Sequence, residues 1–511
     1  MVLVMVCPPC EKGDGHEGGR SMKQMANIVK KVIFKVPVTL KSPLRIGCGY
    51  DDGITDLLVL KAADGRPLVP ATSLAGVLRQ QVRELYDERL ADFCFGQIDD
   101  SKKAKPEIGQ SRVYVDDLIL DIDGEGYLHR DGVAIDDYTG IGIDGAKFDY
   151  EAVDRGASGV VQLEITLRAA DVEEAQAFDA SVFRHTDAVD FWDDFNKTLA
   201  DIFYTGIHVG SLTAKGFGLL ASDSKDVPFY TFDFSKPGEF YKWLDYLDAG
   251  QQADYQLPVS PIPYQAESVQ YPEDTLVMDM QFGLKSSLLV RDYNAGGPSD
   301  LSVISVQMKN HNDFVIPGTT LKGVIRHRAQ GLLRKIFSDP ERWQDFINHL
   351  MGYANESKGV GQQSHLMVHE AYIPSSQVRL HKQTRNRIDR LIGGTIEGAL
   401  FSEAPIWRNK DFLAPVHFKW SVKKCQDREA GLLFLVMRDL WMGNVPIGGG
   451  AAIGRGVLQG QRCHLRFKQW DIVLEGDGEH ALSIQGMQKG QEATPQQCMD
   501  FLEQCVAEIG R

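Results

Sequence analysis

The chain carries one motif at two distant places, and this internal repeat constrains its fold more than any other sequence feature. Residues 69–79 read VPATSLAGVLR, and residues 316–326 read IPGTTLKGVIR. The equivalent prolines, Pro70 and Pro317, are separated by 247 positions. A chain of 511 residues is long enough for two packed cores of ordinary domain size. We therefore predict two tandem copies of one domain.

A second motif recurs near the end of each copy. Residues 210–218 read GSLTAKGFG, residues 448–456 read GGGAAIGRG, and their first glycines are 238 positions apart. Two motifs in the same order at nearly the same offset indicate duplication. The resulting organisation is an N-terminal tail (1–27), a first domain (28–222), a linker (223–272), a second domain (273–464) and a C-terminal extension (465–511).

The order of local patterns predicts an α+β fold. Residues 33–38 and 276–282 are rich in β formers and partly alternate, which is typical of strands. After each Pro-x-Thr motif, apolar residues follow at helical spacing, and Thr72 and Thr319 are placed to cap the first turn. In the C-terminal extension, one helical face carries Phe501, Leu502, Cys505, Val506 and Ile509, so we expect this helix to dock on a core or a neighbour.

Composition excludes several classes of protein. The net charge of -15 disfavours indiscriminate nucleic-acid binding, so any RNA contact must be local. The apolar run at residues 1–6 is far shorter than the about 20 residues that span a bilayer. Eight scattered cysteines do not form a disulfide framework. We expect a cytoplasmic protein with no membrane partner.

Helix N-termini and glycine loops are the candidate phosphate sites, because both can direct backbone N–H groups at an anion. Nearby arginines and lysines would add charge-assisted contacts. The alternatives are a plain helix cap and a tight turn between strands. The candidate RNA-binding residues of the first copy are Arg45, Thr72, Ser73, Arg79, Arg130, Gly210, Lys215, Gly216 and Gly218. Those of the second copy are Thr319, Thr320, Lys322, Arg326, Lys382, Arg385, Arg387, Gly449, Gly450, Gly454 and Arg455.

Three further segments have recognisable patterns. Residues 140–145 match Gly-x-Gly-x-x-Gly by letter, but no strand-then-helix context surrounds them, so we interpret them as part of a hairpin. Residues 379–390 hold five arginines and lysines against Asp389 alone, which makes this segment the best local RNA footprint in an acidic chain. Cys7 and Cys10, with His16, are a weak zinc candidate, and a leader without structure is the alternative.

Together, the Pro-x-Thr-Ser-Leu-x-Gly-x-x-Arg motifs, the glycine loops and the segment at residues 130–150 resemble the RAMP superfamily, specifically the backbone subunit of type III CRISPR effector complexes. The tandem arrangement resembles the double-domain subunits of type III-D variants. The resemblance implies two ferredoxin-like, RNA-recognition-type cores with thumb hairpins that kink a guide–target duplex. The implied partners are the CRISPR guide RNA, a complementary target RNA and other effector subunits, including a large polymerase-like subunit.

The resemblance also implies cleavage of the target RNA by a loop aspartate. Carried over by position, this residue is Asp56 in the first copy and Asp300 in the second, 244 positions apart. Each would position a weakly bound Mg²⁺ or Mn²⁺ ion while a displaced nucleotide's 2'-hydroxyl attacks the adjacent phosphate. Nearby alternatives are Asp51, Asp52 and Asp292. We therefore expect a metal-dependent endoribonuclease acting within an RNA-guided complex.

Two other functions remain open at this point. A purely architectural guide-RNA binder would fit the acidic net charge and the lone carboxylates. A guide-processing ribonuclease would use a histidine such as His208 or His311 as general base.

Overall fold

The computed structural model describes residues 27–49, 55, 57–98, 108–122, 124, 126–136, 142–249, 260–263, 272–292, 305–310, 312–355, 359–409, 414–476 and 482–510. The predicted N-terminal tail lies outside these ranges except for Asn27. Within them, no helix combines the length and the apolar character that crossing a bilayer requires.

Helices occur in corresponding places of the two copies. The helices of the first half are α1 (Ala71–Leu85), α2 (Glu88–Phe95), α3 (Ala169–Gln176), α4 (Phe191–Thr205) and α5 (Glu239–Ala249). Those of the second half are α6 (Gly318–Ile336), α7 (Pro340–Met351), α8 (Asp427–Trp441) and α9 (Pro495–Ala507).

Strands make up most of the remaining regular structure. The first half contains β1 (Ile28–Leu40), β2 (Leu68–Val69), β3 (Gln97–Ile98), β4 (Ile108–Gly109), β5 (Val113–Val115), β6 (Leu118–Ile119), β7 (Tyr127–Ile135), β8 (Gly142–Val153), β9 (Ser158–Arg168), β10 (Ile207–His208), β11 (Leu219–Ala221), β12 (Asp226–Asp233) and β13 (Ser260–Pro263). The second half contains β14 (Leu276–Leu284), β15 (Ser287–Leu288), β16 (Arg291–Asp292), β17 (Ser305–Gln307), β18 (Lys309–Asn310), β19 (Asp313–Ile316), β20 (Tyr353–Asn355), β21 (Val360–Gln362), β22 (Leu366–Val368), β23 (Ala371–Pro374), β24 (Val378–Leu380), β25 (Gln383–Arg385), β26 (Phe401–Ala404), β27 (Ile406–Arg408), β28 (Pro415–Val422), β29 (Leu458–Phe467), β30 (Trp470–Glu475), β31 (Ser483–Gln488) and β32 (Gln491–Ala493).

Both copies contain the same antiparallel sheet. In the first copy β5 pairs with β9, β9 with β1, and β1 with β11 and β12. In the second copy β22 pairs with β28, β28 with β14, and β14 with β29. The matching strands follow the same chain order, and helices connect them at the same points. The duplication inferred from two short motifs therefore extends through each whole copy, and the predicted α+β class is confirmed.

Helices cover one face of each sheet because their apolar residues recur on one side. In α1 the side chains of Leu74, Leu78 and Val82 are fully buried, as predicted from their spacing. Each such side chain stabilises the fold by about 1.5–3 kcal/mol relative to exposure. The equivalent helix α6 buries Leu321, Ile325 and Leu333 in the core of the second copy.

Two predicted domain boundaries cut through sheets. The first copy continues past residue 222, because β12 pairs with β1 from Lys30 to Phe34. Helix α5 then packs on that sheet, where Phe232 and Tyr246 bury Ile33. The second copy continues past residue 464, because β29 runs to Phe467 and β30 to β32 extend its sheet.

The C-terminal helix docks through the predicted face. Phe501, Cys505 and Ile509 are buried in the second core, and Leu502 and Val506 pack at its edge. Residues 337–361 of the second copy have a counterpart in the first copy, because α7, β20 and β21 repeat α2, β3 and β4 with a longer helix.

Candidate nucleic-acid interface

The glycine loops of the two copies have the same backbone structure. The N–H of Gly218 donates to the carbonyl of Pro43 at 2.6 Å, and the N–H of Gly456 donates to Ser287 at 2.6 Å. One turn earlier, Ser211 donates to the carbonyl of Arg45 at 2.8 Å. In the second copy, Gly449 donates to the carbonyl of Leu289 at 2.7 Å. Each loop is therefore fastened to the strand segment that follows the first strand of its own copy.

The glycines serve the turns rather than an anion cradle. A Cβ on Gly218, at a φ of 74°, would lie 1.9 Å from the carbonyl oxygen of Val209. Gly210 and Gly450 also have positive φ angles, 83° and 81°. The N–H groups of Gly216 and Gly454 donate within their own 3₁₀ turns, to the carbonyls of Thr213 and Ala451. The tight-turn alternative therefore describes these loops better than the predicted phosphate contact.

Arg455 does not face solvent, contrary to its predicted role as an RNA contact. Only 2% of it is exposed, and its guanidinium donates to Glu403 at 2.7 Å and to Gln383 at 2.9 Å. The equivalent loop position in the first copy is Phe217, whose ring centroid lies 6.2 Å from that of Tyr150. In both copies this loop position anchors the base of a protruding hairpin.

The hairpin of the first copy consists of β7 and β8, which pair from Tyr127 and Val153 toward the tip. Predicted residues 140 and 141 lie outside the described chain, and the rest of that glycine segment is strand β8. Arg130, a predicted RNA contact, is 3% exposed and ion-paired with Glu370 of the second copy. Its guanidinium therefore joins the two copies instead of meeting solvent.

The helices after the repeated motif begin two residues earlier than capping by their threonines would place them. Pro70 and Pro317 occupy the N-cap positions, and neither of these residues caps its helix with its own side chain. The prediction that Thr72 and Thr319 cap the first turn is therefore wrong. In α1 the first N–H, that of Ala71, is already taken by the carboxylate of Asp117 at 2.7 Å.

Threonine, glycine and arginine share one face of each of these helices at positions i, i+4 and i+7. In α1 they are Thr72, Gly76 and Arg79, with Ser73 half-buried beside them. Arg79 is ion-paired with Asp92, so its charge is partly compensated. In α6 they are Thr319, Gly323 and Arg326, next to half-buried Thr320. A Cβ on either helix glycine would meet nothing within 4 Å, so the backbone is bare there.

The first copy's glycine loop packs on the N-terminus of α6 and brings four predicted cations together. A Cβ on Gly318 would lie 2.0 Å from the carbonyl oxygen of Lys215. The charge of Arg45 acts on Lys215. The charges of Lys215 and Arg326 both act on Lys322. We call Arg45, Lys215, Lys322 and Arg326 the cation cluster.

The cation cluster is electrostatically unfavourable by itself. Burial, and then the charges of Lys215 and Arg326, lower the pKa of Lys322 to about 7. Burial and then Arg45 lower the pKa of Lys215. The charged groups acting on these two lysines are all cations. An anion bound at this place would relieve the repulsion.

The four cations of the cluster differ in how many hydrogen bonds and ion pairs they form with the protein. The Lys322 ammonium donates to Ser364 Oγ at 2.7 Å, to Leu366 O at 2.8 Å and to Ala214 O at 3.3 Å, so it joins the copies. Arg45 donates to Ser211 Oγ at 3.0 Å, while its Nε is buried without a partner in the described chain. Half-buried Lys215 and Arg326 have no described ion pair.

The basic segment of the second copy forms a protruding hairpin. Strand β24 pairs with β27, β25 pairs with β26, and Ile388 bridges Thr395 near the tip. Lys382 and Arg387 are exposed, and Arg385 is half-buried beside Gln383. At the tip Leu391 is 96% exposed and Ile392 is 79% exposed. The basic arms can contact the phosphates of a nucleic acid, and the exposed apolar tip can contact its bases.

Several predicted catalytic and metal-binding residues lie outside the described chain. They are Asp56, Asp300, Asp51, Asp52, His311, Cys7, Cys10 and His16. The residue after Asp56, Leu57, bridges Tyr150 at the base of the first hairpin. The segment that contains Asp300 lies between β16 and β17, which pair with each other. Strand β16 ends at Asp292, the alternative catalytic residue of the second copy.

The sequence did not predict the side chains that join the two copies. Arg155 pairs with Asp313 at 2.5 Å and lies 3.8 Å from the ring centroid of Tyr372. The ring centroid of the candidate base His208 lies 5.4 Å from that of His369, with the rings tilted, and burial lowers the pKa of both imidazoles. No motif in the sequence marks these pairs, because their partners lie more than 150 residues apart.

A sequence model of the RAMP superfamily matches residues 38–221 and 284–459, which together make up more than half of the chain. The chain therefore belongs to the RAMP superfamily, and it is a CRISPR-associated RNA-binding subunit. One matched segment falls in each copy: the first begins near the end of β1, and the second begins at the last residue of β14. No curated protein matches the chain.

Proposed function

We propose that the chain is a backbone subunit of a type III CRISPR effector complex, of the double-domain kind found in type III-D variants, and that it binds the guide RNA along both copies. The cation cluster carries this proposal. A chain of net charge -15 nevertheless holds four cations together beside a bare helical face. A phosphate backbone supplies the negative charge that their protein neighbours lack.

The strand order supports a ferredoxin-like core in each copy. Numbered along the chain, the four shared strands lie in the order 2-3-1-4, all antiparallel, and helices follow the first and third strands. This order is the one expected of the βαββαβ arrangement of RNA-recognition folds. We assign the thumbs that the resemblance implies to the hairpins β7–β8 and 383–404 as part of this proposal, and the exposed tip at Leu391 is suited to separating stacked bases.

Equivalent surfaces are covered in one copy and open in the other, which supports assembly with further subunits. The first copy's glycine loop is packed under α6, whereas residues 451–454 of the second copy's loop are exposed. At the opposite end, Thr72 of α1 is exposed where Thr319 of α6 is half-buried. The second copy's glycine loop and the N-terminus of α1 are therefore complementary surfaces that are both free, as head-to-tail contacts between subunits require. Other effector subunits, including a large polymerase-like subunit, are the proposed neighbours.

We further propose that Asp56 and Asp300 support cleavage of the target RNA. This assignment rests on the resemblance and on the spacing of the two aspartates in the sequence. A Mg²⁺ or Mn²⁺ ion held with the RNA would stabilise charge that develops on the phosphate. The rival processing function is less favoured, because His208 is half-buried between the copies and its Nδ1 lies 2.8 Å from the Phe217 carbonyl.

The decisive experiment is target-RNA cleavage by the assembled complex in Mg²⁺. It compares wild type, Asp56→Ala, Asp300→Ala, the double variant and, as a matched control, Asp248→Ala, an exposed aspartate of α5. We expect each single variant to lose one set of cuts and the double variant to lose both, while the control cuts normally. Unchanged cutting in the double variant would leave the architectural function as the better description.

The RNA-binding part of the proposal has its own test. The purified chain should carry RNA of discrete length at low salt, which nuclease treatment removes. Protein that purifies without RNA, and that fails to bind guide RNA added afterwards, would contradict both the catalytic and the architectural functions.

A further inference from the structure

Three side chains of the second copy converge at a place separate from the cation cluster. His349 lies in the last turn of α7, His365 immediately precedes β22, and Glu429 lies in the first turn of α8. One nitrogen from each histidine and one carboxylate oxygen of Glu429 all lie within 4.8 Å of one another. These atom types, supplied by three separate segments, are those that hold zinc in proteins.

The fold fixes these side chains before any ligand arrives. One oxygen of Glu429 accepts the backbone N–H of Gln426 at 2.9 Å, and the other lies 2.7 Å from Nδ1 of His349. His365 donates its own backbone N–H to the carbonyl of Leu350 at 3.1 Å. Outer hydrogen bonds of this kind orient the ligands of metal sites.

One nitrogen in the group is unsatisfied. The Nδ1 atom of His365 is buried, and it has no hydrogen-bond partner within the described ranges. Leaving a buried polar atom unpaired is unfavourable, so such an atom in a native fold calls for a ligand or an ion. The imidazole of His349 stands beside it, with ring centroids 4.8 Å apart and planes nearly perpendicular.

The RAMP fold itself does not require this group, because the first copy lacks it. Counted back from Gly96 and Gly352, the position of His349 corresponds to Phe93. The residue before β5, which corresponds to His365, is Arg112. In the first copy the guanidinium of Arg112 covers the Phe93 ring at 4.1 Å and pairs with Asp171 at 2.8 Å. Where the first copy has a contact that needs no ligand, the second copy has potential metal ligands.

We propose that His349, His365 and Glu429 bind a divalent transition-metal ion, with zinc the best chemical match, which fastens the segment between α7 and β22 to α8. Two imidazoles and one carboxylate suit zinc, whereas magnesium and calcium prefer oxygen ligands. Glu429 is buried, but both histidines are half-buried, so the site is open to solvent on one side. A water molecule can complete the coordination.

The test measures zinc content and thermal stability of the full chain, with RNA removed by nuclease. Cys7→Ser and Cys10→Ser form the background, because those thiols are possible ligands elsewhere. His365→Gln removes a proposed ligand without touching the His349–Glu429 hydrogen bond. The matched control is His464→Gln, which removes a histidine 2.8 Å from the carboxylate of Asp471 in the same copy.

We expect the background protein to retain one zinc ion per chain after dialysis and to melt at a higher temperature with zinc than without it. His365→Gln should lose both properties, and His464→Gln should keep both. Zinc retention by His365→Gln, or no uptake by the background protein, would overturn the proposal. If His365→Gln fails to fold, Co²⁺ added to the background protein decides: visible absorption typical of four-coordinate nitrogen and oxygen ligation supports the site, and its absence refutes it.

Discussion

Arg130 of the first copy and Glu370 of the second form an ion pair that is almost completely buried at the boundary between the copies. The hydroxyl of Tyr372 donates to the same carboxylate at 2.8 Å. The Arg130 guanidinium also lies 5.6 Å from the ring centroid of Phe217, in the glycine loop. Because both charges are withdrawn from water, removing one would leave the other uncompensated. The pair therefore makes the two copies depend on each other.

We predict that Glu370→Gln lowers the free energy of unfolding by about 3–5 kcal/mol, the usual cost of leaving one buried charge without its partner. The matched control is Lys423→Gln, which breaks a half-exposed pair across the same boundary, Lys423 to Glu84 at 2.6 Å. Exposed pairs contribute about 0–1 kcal/mol. Urea denaturation of the RNA-free chain measures both values, and equal losses would contradict the assigned role of Arg130.

Two glycines of α6 should respond to alanine in opposite directions. Gly318→Ala places a methyl group 2.0 Å from the Lys215 carbonyl, so the copies must separate locally and the free energy of unfolding should fall. Gly323→Ala meets open space and should raise it by about 0.5–1 kcal/mol, the propensity difference in a helix. Thermal melting without RNA distinguishes them. A matching change in both variants would argue against close packing of the copies at Gly318.

Arg326 should contribute to RNA affinity through a phosphate. We predict that Arg326→Ala weakens guide-RNA binding and reduces the slope of log affinity against log salt by about 0.7, the contribution of one phosphate on a single strand. Lys335→Ala is the control, because Lys335 is exposed in the last turn of the same helix, away from the cluster. Binding is measured by titration of guide RNA at several salt concentrations. Identical slopes for both variants would remove Arg326 from the interface.

The lowered pKa of Lys322 predicts a pH dependence of stability. The folded chain has a pKa of about 7 at this residue against an ordinary value of 10.5, so between these values the unfolded chain binds the extra proton. Stability should therefore rise with pH across this window, by at most about 1.4 kcal/mol per pH unit.

The measurement is the difference between wild type and Lys322→Met, with RNA removed, in denaturation series from pH 7 to pH 9. Lys335→Met controls for loss of an exposed charge. We expect the wild type to gain stability more steeply than Lys322→Met, and the control to follow the wild type. Parallel curves for wild type and Lys322→Met would contradict the burial of an uncompensated ammonium.

Local patterns in the sequence were enough for the repeated architecture. The spacing of Leu74, Leu78 and Val82 identified a helix face, and the recurrence of the same motif around Leu321 showed that this face exists twice. The domain boundaries could not be predicted in this way. Strand β12 lies in a segment rich in proline and aspartate, and its place in the sheet depends on pairing with β1, nearly 200 residues earlier.

For the interface, the sequence named cations of the expected type but could not distinguish their environments. Lys215 and Arg326 are half-buried members of the cation cluster. Arg130 and Arg455 looked equivalent to them by type, yet each is paired with a glutamate distant in the sequence. A solvated arginine and a buried one differ in partners that only the tertiary structure brings together.

The close fit of the first copy's glycine loop against Gly318 has a consequence for stoichiometry. If the two copies were separate polypeptides, they would have to associate by diffusion. The fraction of copies docked in this way would then depend on protein concentration. A covalent connection holds the two halves at a high local concentration, so their docking is independent of dilution. The number of copies along any bound guide RNA therefore increases in steps of two, at any protein concentration.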